Sequence, residues 1–263
     1  MQLEVSELQL GYDRLIVKRL SLSLSAGQLM ILIGPNGCGK STLLKSLAGQ
    51  LPPQQGEIRL DGTPLTDFSP RALARRIAYL PQSPLAPDGL RVRDLVAYGR
   101  HPHQGLFRQW SAADEAAVEQ ALADTDLSEL ADRRLEAISG GQRQRAWLAL
   151  ALAQQADLLL LDEPVSMLDL GHQLEVMELV HRLSRQGRAI IMVLHDLMAA
   201  ARYADVLVAM RDGQLVAAGK PAEVLTPERV AALYDVQAQI LTAPGDGSPV
   251  VVPVLGQRSE IRV

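Results

Sequence analysis

The sequence predicts an α/β fold built on a parallel sheet. Two observations carry this prediction. Short apolar strands alternate with helical stretches through the C-terminal half, and a glycine-rich loop at Gly34–Thr42 lies between an apolar strand and a helix. Strands that are apolar on both faces belong in a sheet covered by helices on each side. At 263 residues the chain suits one large domain, or a domain plus a subdomain, with a substantial core.

Apolar and polar residues alternate through Leu3–Leu24, as in Leu20-Ser21-Leu22-Ser23-Leu24, so antiparallel strands with one wet face open the chain. Gln28–Ile33 is a compact apolar strand, and the helix after the glycine-rich loop carries Leu43, Leu44 and Leu47 on one side. Glu57–Leu60 with the turn Asp61-Gly62 reads as a hairpin. Ser69-Pro70 starts a helix, with a capping serine and a proline at the first helical position. From about Val92 to Asp132 the pattern is helical, with Ser111 capping Ala112–Ala123. Strands return at Asp157–Leu161, Ala189–Leu194 and Asp205–Met210, separated by the helical stretches Gly171–Arg185 and Asp196–Tyr203. Arg211-Asp212-Gly213 is a hairpin turn, and Gly245–Ser248 separates two last short strands. This order places a core at about 1–88 and 155–263, with a helical subdomain inserted at about 89–154. The stretch after Tyr234 is short for a regulatory domain.

Composition narrows the function classes. The formal net charge is −4 and the pI near 5.8, which argues against a generally basic nucleic-acid-binding surface. The aromatic residues are too scattered for a base-stacking platform. The longest apolar run, Ala146–Ala153, is eight residues, whereas a membrane span needs about 20. Met1–Val5 has neither the basic region nor the apolar core of a secretory signal. The single cysteine, Cys38, excludes a disulfide scaffold and a multi-cysteine metal site. A soluble protein of a reducing, cytoplasmic compartment is expected.

Gly34-Pro35-Asn36-Gly37-Cys38-Gly39-Lys40-Ser41-Thr42 matches G-x-x-x-x-G-K-[ST] in full. Its glycines let successive backbone N–H groups curl inward around phosphate oxygens, and the helix starting near Lys40 adds its positive end. Lys40 can reach the β- and γ-phosphates, and Ser41 can supply a hydroxyl to Mg²⁺. Cys38 reads most simply as a small side chain at a variable position. The sharper expectation is a reactive thiol, since helix N-termini lower thiol pKa, with alkylation blocking nucleotide binding and ATP protecting. Leu158–Leu161 leads into Asp162-Glu163, which puts Asp162 at the carboxyl end of a buried strand, where it can hold Mg²⁺. Glu163 projects differently and can orient or polarise an attacking water. Ser139-Gly140-Gly141-Gln142 precedes a helix and forms a second anion-binding helix start, which one nucleotide in one chain does not need. It therefore points to the nucleotide of another copy.

Together the Gly34–Thr42 loop, the Ser139–Gln142 signature and Asp162-Glu163 resemble the ATP-binding subunit of an ABC transporter. The resemblance covers nearly the whole chain. It implies a P-loop NTPase (RecA-like) α/β core with an N-terminal antiparallel β subdomain and an inserted α-helical subdomain. It implies that Tyr12 stacks on adenine, that Gln82 links the Mg²⁺ and attacking-water region to the transmembrane partner, and that Asp169, in Ser166-Met167-Leu168-Asp169, contacts the other copy. His195 would contact the γ-phosphate. Catalysis would rest on Glu163, His195 and Gln82, and Mg²⁺ on Ser41, Gln82 and Asp162. Departures are mild: Ile138 stands for leucine in the signature, Val165 for threonine, and Met167 for a smaller or polar residue. A narrower resemblance, carried by the phosphate loop, by Gly99–His103 with Phe107 and Trp110, and by Gly140–Trp147, is to ferric-siderophore importer ATPases, with cobalamin and haem importers close by. His101 and His103 have no third ligand and read as surface or interface residues.

The expectation is an ATPase that binds ATP and Mg²⁺ and works as a head-to-tail dimer. Its partners would be permease subunits and, through them, a periplasmic or surface substrate-binding protein, but no nucleic acid. It would sit peripherally on the cytoplasmic face of a bacterial inner membrane. The competing class, a soluble ABC ATPase acting on ribosomes or DNA, usually carries two cassettes or a long coiled-coil insertion, and this chain has neither. A phosphate-binding kinase would not explain Ser139–Gln142 and Asp169 together.

Overall fold

The computed structural model describes residues 1–105, 110–166 and 168–254, and Phe107 and Met167 lie outside them. The alternating N-terminal stretch forms β1 (Gln2–Gly11) and β2 (Leu15–Ser25), an antiparallel pair. The apolar strand is β3 (Leu29–Ile33), followed by α1 (Lys40–Leu47). β4 (Gln55–Leu60) and β5 (Thr63–Pro64) make the expected hairpin. Ser69 caps α2 (Pro70–Arg76) by accepting from the Ala72 N–H. Next comes β6 (Ile77–Leu80), then α3 (Val92–Ala97), α4 (Ala112–Asp124) and α5 (Gly140–Ala153). β7 (Leu158–Asp162), α6 (Leu170–Arg185), β8 (Ala189–Val193), α7 (Leu197–Tyr203) and β9 (Val206–Arg211) supply the alternation seen in the sequence. The chain then forms β10 (Gln214–Gly219), α8 (Pro221–Val224), α9 (Pro227–Tyr234), and the hairpin β11 (Ala238–Thr242) with β12 (Pro249–Pro253).

Among the described residues the main sheet runs β10-β9-β3-β8-β7-β6, parallel from β9 to β6 and closed at one edge by antiparallel β10. A second sheet, β2-β1-β4-β5, is antiparallel. Period-two alternation divides the parallel strands between two cores. Met30 and Leu32 pack with Leu43, Leu44 and Leu47 of α1 and with the antiparallel sheet, while Leu29, Ile31 and Ile33 pack with α5, α6 and α7 on the other face.

Two features differ from the sequence reading. The helical pattern at 92–132 is not continuous: after α3 the chain tightens into a 3₁₀ turn over Tyr98–His103 that contains Pro102, whose missing N–H cannot continue an α-helix. β6 is a strand with no counterpart in that reading, because four residues between Arg76 and Pro81 are too few for a visible period.

A buried ion pair ties the turn after α3 to α4 and to the end of α5. Arg100 Nε donates to Asp114 Oδ1 at 3.0 Å, and Nη1 donates to the Ala153 carbonyl at 2.6 Å and to Gln155 Oε1 at 3.0 Å. The two side chains are 5% and 1% exposed. Hydrogen bonds from Ser111, with Arg100 adding to them, hold the Asp114 carboxyl down at about 2, against 3.8 ordinarily. Asp114→Ala should destabilise the fold by about 3–5 kcal/mol in urea titration, because Arg100 is left buried and unpaired. The depressed folded pKa means this contribution is complete above about pH 4 and is lost as pH falls toward 2. The variant's deficit relative to wild type should therefore shrink over that window.

Candidate active site

The carboxyl ends of β3, β6, β7 and β8 meet at one side of the sheet, and each delivers one part of the site. After β3 the chain turns at Gly34, φ 144°, where a Cβ would lie 2.0 Å from the Met210 carbonyl oxygen. The N-terminus of α1 has no side-chain cap, so its N–H groups are free to face an anion. Lys40 is buried, its ammonium donating to the carbonyls of Gly34 (2.7 Å) and Pro35 (3.0 Å), acceptors that phosphate oxygens can replace. Ser41 Oγ donates to Asp162 Oδ1 at 3.1 Å. Asp162 is buried at the end of β7, and burial pushes its carboxyl up, against the pull of the Ser41 hydrogen bond.

Glu163 follows in a left-handed backbone conformation, φ 53°. Its carboxylate accepts from Gln82 Nε2 at 2.7 Å and lies 2.5 Å from His195 Nε2. Gln82 comes two residues after β6 and His195 two after β8, so three strand ends converge on one carboxylate. A cavity of about 650 Å³ is lined by Asn36, Gly37, Gly39, Lys40, Ser41, Thr42, Gln82, Glu163 and His195, together with Arg14 and Ile16.

Arg14 and Ile16 were missed in the sequence. The available signal was a cation two residues beyond Tyr12, in the turn between β1 and β2. Tyr12 itself is 56% exposed on that turn and does not line the cavity.

The Ser139–Gln142 signature is not part of this cavity. Ser139 caps α5 in a reciprocal box: its Oγ accepts from the Gln142 N–H at 3.2 Å and Gln142 Oε1 accepts from the Ser139 N–H at 3.0 Å. A Cβ on Gly140 would meet nothing within 4 Å, while one on Gly141 would sit 3.2 Å from Leu168 Cδ2. Asp169 caps α6 by accepting from the His172 N–H at 3.0 Å, and this bond with the His172 ring holds its carboxyl low.

The reactive-thiol expectation for Cys38 is corrected. The thiol is 3% exposed, and burial pushes its pKa up, outweighing the nearby Lys40 ammonium at 3.8 Å. His103 bonds the Gln154 carbonyl at 2.8 Å and His101 packs edge-on against Tyr98. Among the described residues no three His, Cys, Asp or Glu side chains gather as a metal-holding group, and no helix is long and apolar enough to cross a membrane.

A family model described as ABC transporter matches residues 17–166, from β2 through the phosphate loop and signature to the acidic pair. The chain belongs to the ABC transporter family. As an ABC ATP-binding subunit it binds and hydrolyses ATP. It is 47% identical over 253 residues to the petrobactin import ATP-binding protein FpuD of Bacillus anthracis, covering 95% of this chain and 93% of that one. It is 43% identical over 255 residues to the ferric enterobactin transport ATP-binding protein FepC of Escherichia coli, covering 96% and 94%. In structure it is similar to a chain of an ABC transporter described as metal-chelate type in an inward-facing conformation, with TM-score 0.83, 30% identity and 96% of each chain covered. This ABC subunit therefore shares both sequence and fold with its relatives over nearly its whole length.

Proposed function

We propose that this subunit powers the import of ferric siderophores through a membrane ABC transporter. The observation that carries the reading is Glu163, held between Gln82 and His195 beside Lys40 and Ser41, in a chain whose relatives include petrobactin and ferric enterobactin transport subunits. ATP lies with its phosphates in the Gly34–Thr42 loop, against Lys40 and the free N–H groups of α1, and its adenine against Tyr12. Glu163 accepts a proton from the attacking water, and Gln82 and His195 fix the carboxylate's orientation. His195 also reaches toward the γ-phosphate.

The donor set suits Mg²⁺. Ser41 Oγ and Asp162 Oδ1 are hard oxygen donors 3.1 Å apart, and the Gln82 amide oxygen adds a third. Bound there with the nucleotide, the ion would neutralise phosphate charge.

Two copies pair head to tail, so that Ser139–Gln142 and Asp169 of one complete the nucleotide site of the other. This accounts for a capped helix start that lies outside the Lys40–Glu163 cavity of its own chain. The segment 89–154 acts as the helical subdomain, and with the Gln82 region it passes closure to permease subunits. A groove of about 880 Å³ beside β6, lined by Leu51, Phe68, Leu73 and Tyr79 and reached by Gln154 just after α5, offers the permease a dock spanning core and insert. The buried hydroxyls of Ser46 and Tyr79 line it without a partner among the described residues. The subunit then lies on the cytoplasmic face of the inner membrane and serves a substrate-binding protein through the permease.

Reconstitution with its permease in liposomes tests this. ATP-driven uptake of ferric siderophores is expected, exceeding uptake of haem or cobalamin by about tenfold or more. Preferential uptake of haem or cobalamin, or co-purification with ribosomes or DNA instead of a permease, overturns the reading.

A further inference from the structure

The C-terminal helix α9 takes no part in the chemistry above, yet it reaches the phosphate loop by two routes. The first runs through the turn after β9. The Gly213 N–H donates to the Cys38 carbonyl at 3.1 Å, and the Gly213 carbonyl accepts from the Lys18 N–H at 2.6 Å. Gly213 has φ 76°, and a Cβ there would lie 1.8 Å from the Ile16 carbonyl oxygen, so the turn is seated as closely as backbone allows. Arg211, which opens this turn, donates through Nη1 and Nη2 to the two carboxylate oxygens of Asp235, at 3.1 and 2.9 Å, and also to the Ala232 carbonyl. Asp235 ends α9 in a left-handed conformation, φ 56°. The paired bonds thus pin the end of α9 to the turn that holds Cys38.

The second route is Tyr234, the last residue of α9. Its hydroxyl faces the Gly34 backbone N–H and lies near Cys38, and burial pushes the phenol up to about 12. Gly34, Gly37 and Gly39 all have positive φ, so the loop between the two contacts has little side chain of its own to hold its shape. A loop of that composition must lose conformational freedom on receiving phosphates unless something else has already ordered it.

We propose that α9 is a clasp on the phosphate loop, in which Tyr234 and the Arg211–Asp235 pair are positioning residues that hold Gly34 and Cys38 in the curl that receives the nucleotide. Cys38, the chain's single cysteine, is a built-in reporter of whether the clasp is shut. Tyr234→Phe removes one hydroxyl and Asp235→Asn removes the charge that Arg211 grips. Each should weaken MgATP binding about fivefold by calorimetry, and each should speed the reaction of Cys38 with a soluble disulfide reagent about tenfold, with ATP protecting. A purely structural role would lower the melting temperature and leave affinity and labelling where they were. MgATP affinity or Cys38 reactivity within twofold of wild type in both variants overturns the proposal, whatever their melting temperatures.

Discussion

Glu163→Gln lowers ATP turnover by about 10²–10⁴-fold while leaving ATP affinity nearly unchanged. The amide keeps the carboxylate's shape. Its oxygen can still accept from Gln82 Nε2, and its NH₂ stays within reach of His195 Nε2, so both neighbours found at 2.7 and 2.5 Å keep a partner. What is lost is the capacity to take a proton from water. Since the nucleotide still binds, the variant should accumulate an ATP-bound dimer, read by size-exclusion chromatography with and without ATP. Turnover at the wild-type rate would remove Glu163 from its role, and a slow enzyme that stays monomeric would argue against the head-to-tail arrangement.

The second large effect is at Lys40. Lys40→Ala should weaken MgATP binding about 100-fold, the scale of a buried charge-assisted contact to phosphate. No other lysine can stand in: Lys45 lies a turn and a half along α1, and Lys18 and Lys220 are on other elements. The substitution also leaves the Gly34 and Pro35 carbonyls without the donor that now holds them. Arginine should not restore binding, since its planar fork is longer and cannot curl into a space built for a single ammonium. Far-UV circular dichroism should remain that of wild type. An affinity within threefold of wild type would show that the backbone N–H groups alone bind the nucleotide.

What could be read from the sequence was whatever is encoded locally. The phosphate loop is nine consecutive residues, and its flanking strand and helix have strong periods, so loop, β3 and α1 were all visible. Asp162 was placed because four leucines before it announce a buried strand. Gln82 and His195 are different: they stand 81 and 32 residues from Glu163, and nothing in their immediate sequence says that they share its carboxylate. Only resemblance suggested them. Arg14 and Ile16 escaped because the turn between β1 and β2 and the first residues of β2 carry no pattern pointing at a loop across the sheet. Cys38 shows the opposite failure. The local rule, a thiol near a helix start, was right about the neighbour and wrong about the outcome, because burial decides the thiol's pKa. The role of α9 was invisible for the same reason as Gln82: its contacts with Gly34 and with the Arg211–Gly213 turn that bonds Cys38 exist only after the chain has folded back.

Glu163 occupies a left-handed backbone position, which a branched-free acidic side chain adopts at a cost of about 1 kcal/mol or more. Glycine would adopt it freely. A screen of random variants for heat resistance alone would therefore favour Glu163→Gly, a tougher protein that no longer turns over ATP. Any search for a hardier transporter built on this subunit has to score work done, because at this one residue durability and activity are selected in opposite directions.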